Sequence, residues 1–137
     1  MSNEEYEKSC TLIREANKGY LSIYEKYLID HGLSTRTVSR HMNNLDYYLN
    51  DYLLRDDALS MEDGIEKIDD YFSHFFIRQP NGATPGTIKS TSDSIRKFYQ
   101  CMVVNNKIDK DGFICVCKTI KDSLPGWQAN CLQYNNQ

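Results

Sequence analysis

The chain has 137 residues, 40% of them hydrophobic and 26% charged, with a formal net charge of −3. That length suits one domain, and the composition is that of a globular chain able to bury a core without disulfides or metal, not of a disordered one. No apolar run approaches the roughly 20 residues of a membrane span, and the acidic start Met1-Ser2-Asn3-Glu4-Glu5 is unlike a signal or transit peptide, so the cytoplasm is the expected compartment.

From Asn3 to Asp30, Tyr6, Cys10, Ile13, Tyr20, Leu21, Tyr24, Tyr27 and Leu28 fall at helical spacings of three and four, with Asn17 as a gap. His31-Gly32 stops this helix, since glycine accepts the left-handed conformation of a helix end. Ser34 caps a second helix whose stripe is Val38, Met42, Leu45, Leu49, Tyr52 and Leu53. Ser60, with Asp63 in the reciprocal position, predicts the start of a third, carrying Met61, Ile65, Ile68, Tyr71, Phe72, Phe75 and Phe76. Gln79-Pro80-Asn81-Gly82 is a turn. Thr84-Pro85 predicts the start of a fourth helix, with Ile88, Ile95, Phe98, Tyr99, Met102 and Val103 on one face, ending near Asn105-Asn106. Asp109 or Asp111 caps a fifth, with Phe113, Ile114, Val116, Cys117, Ile120 and Leu124. Pro125-Gly126 is expected to interrupt it, and Trp127 to open a short last segment ending in a frayed tail from Tyr134. The expected fold is all-α: a four-helix bundle over residues 1–108 with a helical extension, 109–137, packed on the same domain.

Signatures of catalysis are missing. His31, His41 and His74 have no ligand-pair spacing and read as surface or boundary residues. The tyrosines fall on apolar stripes, and no phosphate loop or zinc-protease motif occurs. Five cysteines at irregular spacing argue against a disulfide framework. On a helix, Cys115 and Cys117 diverge too far to share an ion. No metal, no cofactor and no enzymatic activity of its own are expected.

The charges are segregated. Residues 55–80 carry three basic and seven acidic side chains, residues 81–108 four basic and one acidic. An acidic chain arranged this way still presents a positive face. Two helix starts carry hydroxyls and cations: Ser34, Thr35, Arg36 and Thr37 with Arg40, then Thr84 and Thr87 with Lys89, Arg96 and Lys97. A helix N-terminus offers free N–H groups and a favourable dipole to a phosphate. Ordinary capping with solvated charge accounts for the same residue types, and both readings stand at this point. The phosphate reading requires the two starts to face the same solvent.

The order Tyr20-Leu21-x-x-Tyr24-x-x-Tyr27-Leu28-x-x-His31-Gly32-Leu33-Ser34-x-x-Thr37-x-x-x-His41-x-x-x-Leu45, then Ile68-Asp69-Asp70-Tyr71-Phe72, then Thr87-Ile88-Lys89 and Ile95-Arg96-Lys97-Phe98-Tyr99, resembles the N-terminal core-binding domain of tyrosine recombinases and phage integrases. The resemblance covers about residues 20–108, with His41 where an aromatic is usual. It implies a SAM-like four-helix fold and a cytoplasmic role in DNA integration and recombination. It also implies contact with double-stranded DNA through Ser34, Thr35, Arg36, Thr37, Arg40, Thr87, Lys89, Arg96 and Lys97. In that family a separate catalytic domain does the cutting. Residues 109–137 do not resemble one, and Tyr134 lacks the arginines and histidines that accompany the family's nucleophile. The partner implied beside DNA is a catalytic recombinase domain or another protein. The rival expectation is a protein-interaction module that kept the fold without DNA binding, using the acidic third helix or the Trp127 region.

Overall fold

Side-chain caps set the helix starts in the computed structural model, which describes residues 2–137. Ser2 accepts the Glu5 amide and opens α1, Asn3–Asp30. Gly32, at φ +80°, ends it in the left-handed region that disfavours side chains. Ser34 accepts the Thr37 amide at 3.2 Å and opens α2, Thr35–Asp46, which widens into a π-helical stretch, Tyr47–Tyr52. Ser60 and Asp63 cap each other's amides, as their spacing predicts.

Beyond Ser60 the chain departs from the continuous helix that its apolar spacing predicts. A 3₁₀ turn, Asp63–Glu66, breaks at Lys67, and α3 begins only at Ile68–Asp70; it continues as a π-helical stretch, Tyr71–Phe75, and closes in a 3₁₀ turn, Phe76–Arg78. Two buried tyrosines explain the break. Tyr99 donates to the Met61 carbonyl at 2.8 Å, and Tyr48 to the Gly64 carbonyl at 2.6 Å. A regular helix would give those carbonyls to the amides of Ile65 and Ile68. Instead the Ile65 amide turns to Glu62.

Thr84 and Thr87 form a capping box ahead of Pro85, and α4 runs Pro85–Val104. Asp109 accepts the Gly112 amide and opens α5, Lys110–Asn135. Here the expected interruption is overturned, because α5 passes through Pro125 as one helix. Proline removes one amide donor, leaving the carbonyl of Lys121 without its usual partner. Lys121 is exposed, so water can take that carbonyl. The segment after the proline is anchored. Trp127 stacks at 4.7 Å on Phe72 and donates to Asp69 at 2.8 Å, Gln128 donates to the Pro85 carbonyl, and Asn135 to that of Ala83. The helical path therefore reaches Asn135 rather than fraying from Tyr134.

The fold is all-α, with five principal helices and no strand among the described residues. Its core takes Tyr24 and Leu28 from α1, Leu45 from α2 with Leu49 beyond it, Tyr71 and Phe72 from α3, Ile95 and Phe98 from α4, and Val116 and Trp127 from α5. Trp127 is 2% exposed, so its indole packs into the bundle and α5 completes it. Asn17 is likewise no gap in α1. It is 1% exposed and donates to Asn50 at 2.8 Å, which donates in turn to Asp46, while Asn17 Oδ1 is left unpaired. Among the described residues no helix is long and apolar enough to cross a membrane.

Candidate nucleic-acid interface

The predicted contact residues lie along α2 and α4 and at their caps, and the two helices cross at Ser94. Small side chains on α4, Thr91, Ser92 and Ser94, are all buried and let the helices approach. His41 Nδ1 lies 2.6 Å from the Ser94 hydroxyl, Asn44 Nδ2 donates to that oxygen at 3.0 Å, and the hydroxyl donates to the Ser90 carbonyl. The Ser94 hydroxyl thus ties α4 to α2, accepting from Asn44 while it lies against the His41 imidazole. His41, expected at the surface or boundary, is 2% exposed and tilted beside the Tyr24 ring at 6.5 Å. It fills a core position as an aromatic would. Burial pushes its pKa below the ordinary histidine value, the Arg40 and Lys97 charges push the same way, and Asp93 opposes them.

The crossing sorts the site residues. Arg40 shares a cleft of about 370 Å³ with Asn44 and Tyr47 on the α2 side and with Thr87, Ser90 and Thr91 of α4. The start of α4 thus opens toward Asn44 and Tyr47, in the later part of the α2 rod, and not toward Ser34. The two caps stand roughly 10 and 15 Å along their axes from the crossing. They are not side by side, so the phosphate site expected of two neighbouring helix starts is not formed; the cations that can act together lie at the crossing instead. What the fold brings together is Arg40 with Thr87 in that cleft, while the charges of both Arg40 and Lys97 act on His41.

Their charges are not equally free. Asp93, one helical turn from each, lies 3.6 Å from Lys89 and 3.9 Å from Arg96. Those two cations do align on one face, as their spacing predicts, but they share a carboxylate there. Arg36, Arg40 and Lys97 have no carboxylate within ion-pair distance among the described residues. The cap hydroxyls are spoken for: Ser34 holds the Thr37 amide, and Thr84 and Thr87 hold each other's. Thr35 and Arg36, in the first turn of α2, are exposed.

Tyr24, Tyr48 and Tyr99 are wholly buried, their hydroxyls donate to backbone carbonyls, and burial drives their ionisation far upward. Cys10, Cys101 and Cys131 are buried, Cys117 half-buried and Cys115 exposed. Burial holds the Cys101 thiol at about 11, against the weaker opposing pull of Asn105. The described residues contain no cluster of three metal-ligating side chains. The chain matches no protein-family model, and neither a curated protein nor a solved structure is significantly similar to it.

Proposed function

We propose that this chain is a non-catalytic DNA-binding domain, similar to the core-binding domain of a tyrosine recombinase, that grips duplex phosphates across the crossing of α2 and α4. The observation that carries this reading is the placement of three unpaired cations, Arg36, Arg40 and Lys97, on the two crossing helices, with Thr87 in the cleft that Arg40 lines. Phosphate contacts of this kind position a protein without reading sequence. Lys89 and Arg96 contribute once a phosphate competes with Asp93. DNA cutting belongs to a separate catalytic domain, the partner that the sequence resemblance implies.

Titration of a random-sequence duplex at several salt concentrations tests this. Affinity in the ~10⁻⁴–10⁻⁶ M range of non-specific binding is expected, falling with salt by about 0.9 log units per log unit of salt for each phosphate neutralised. Arg36→Ala/Arg40→Ala and Lys97→Ala should each weaken binding and flatten that slope. Wild-type protein that binds no duplex at low salt, or variants with unchanged slopes, would reject the reading.

A further inference from the structure

A second cleft, of about 500 Å³, adjoins the first and shares Tyr47 and Gln79 with it. Its walls come from two segments with the same rare backbone. Tyr47 and Tyr52 stand on the π-helical continuation of α2, and His74 and Phe75 on the π-helical stretch of α3. π-helical geometry accounts for well under 1% of residues and concentrates at functional sites. Two such segments facing each other across one cleft is a juxtaposition that core packing alone does not call for.

The cleft joins aromatic side chains to two arginines, with two carboxylates on the same lining. Tyr47, Tyr52 and Phe75 are half-buried, with the Tyr47 and Phe75 rings 5.7 Å apart. The Arg55 guanidinium sits 5.3 Å from the Phe75 centroid, and Arg78 lines the same cleft. Neither arginine pairs with a carboxylate among the described residues, although Asp56 and Asp70 also line the cleft. Asp70 accepts the Tyr52 hydroxyl at 2.5 Å, which ties it to the α2 side of the cleft.

We infer that this cleft takes single-stranded nucleic acid, with a base against the Tyr47–Phe75 wall and phosphates at Arg55 and Arg78. Open aromatic faces beside a line of cations are the recurring means of holding a single strand, whose bases are free to stack. The bases of a duplex are already stacked on one another and cannot use such a wall. The groove continues past Tyr47 into the Arg40–Thr87 cleft, so a strand lying along it reaches a third cation. The Arg55–Arg78 cleft itself lies outside the proposed duplex contacts, and only its continuation shares Arg40 with them.

Fluorescence anisotropy with labelled DNA and RNA single strands of about eight nucleotides, a length in the range of known single-strand sites, tests the inference beside a duplex control. Wild-type protein should bind the single strand, and the DNA and RNA arms show which sugar is preferred. Arg55→Ala/Arg78→Ala should lower single-strand affinity about tenfold or more and leave duplex affinity unchanged, because neither residue belongs to the duplex contacts; loss of stacking in Phe75→Leu should cost about 5- to 150-fold. Circular dichroism checks that both variants stay helical. Absence of single-strand binding by wild type, or unaltered binding by the arginine pair, overturns the inference whatever the duplex does. Single-strand binding without duplex binding upholds it and rejects the duplex reading instead.

Discussion

His41 Nδ1 and the Ser94 hydroxyl lie 2.6 Å apart, a hydrogen bond inside the crossing of α2 and α4. The pair joins stability to protonation. Its folded pKa is lowered, by burial first and by Arg40 and Lys97 next. A lowered histidine pKa means that the unfolded chain takes up a proton before the folded one does. The stabilisation is therefore fully present above the unfolded value of 6.5 and is lost as the pH falls below it toward the folded value. Urea midpoints for wild type should drop between pH 7.5 and 5.5. His41→Gln should be less stable at the higher pH and should show less of that drop. Equal pH slopes in the two proteins would contradict the assignment.

Asp93 gives the duplex reading a test in the opposite direction. It holds Lys89 and Arg96 at 3.6 and 3.9 Å on a partly exposed face. Exposed pairs contribute only about 0–1 kcal/mol to stability, so Asp93→Asn should unfold nearly like wild type. It removes a negative charge beside the proposed phosphate contacts, so duplex affinity should rise and its salt dependence steepen by up to two phosphate equivalents on the same counterion-release scale. Weaker binding by this variant would place the DNA on another face.

Gly64 sits against the side chains of Tyr99, Leu53 and Tyr48. A β-carbon there would stand 2.6 Å from the Tyr99 hydroxyl and 2.9 Å from Leu53 Cδ1. Gly64→Ala should cost about 1–3 kcal/mol, the usual scale of overpacking. Tyr99→Phe removes one clashing atom, so the double variant should lose less than the sum of the single losses in urea unfolding. Strict additivity would mean that the clash lies mainly with Leu53.

Pro125 and Gly126 are the weakest helix formers in α5, and both face solvent. Nothing lies within 4 Å of a β-carbon built on Gly126. Gly126→Ala should stabilise by about 1 kcal/mol, and Pro125→Ala, which restores a donor for Lys121, by about 1–3 kcal/mol. Higher thermal midpoints without a change in helicity are the expected result. A fall in stability would show that the proline serves α5 in some other way.

The elements that could be read from the sequence are those governed by local chemistry. Ser34, Ser60 with Asp63, Thr84 with Pro85, and Asp109 each act on amides within three residues, and each caps where its spacing predicts. The misreadings share a different cause: the deciding partner is distant in the chain. Tyr99 reaches 38 residues back to Met61 and breaks the turn before α3. Asp69 and Phe72 hold Trp127 from 58 and 55 residues away and carry α5 past a proline that locally argues for a stop. Asn17 and His41 look polar, and only Asn50 and Ser94 make them tolerable inside. The site was legible in part for the same reason. The alignment of Lys89 with Arg96 follows from helix period, whereas the crossing that pairs Arg40 with Thr87, and the cleft of Arg55 and Arg78, depend on how separate helices meet.

Trp127 is the chain's one tryptophan, and it is lodged between Phe72 and the Asp69 carboxylate. Its emission therefore reports a single event, the seating of the C-terminal helix, and is blind to changes confined to the far end of α1. The molecule carries an optical gauge of its own closure, readable without any added dye.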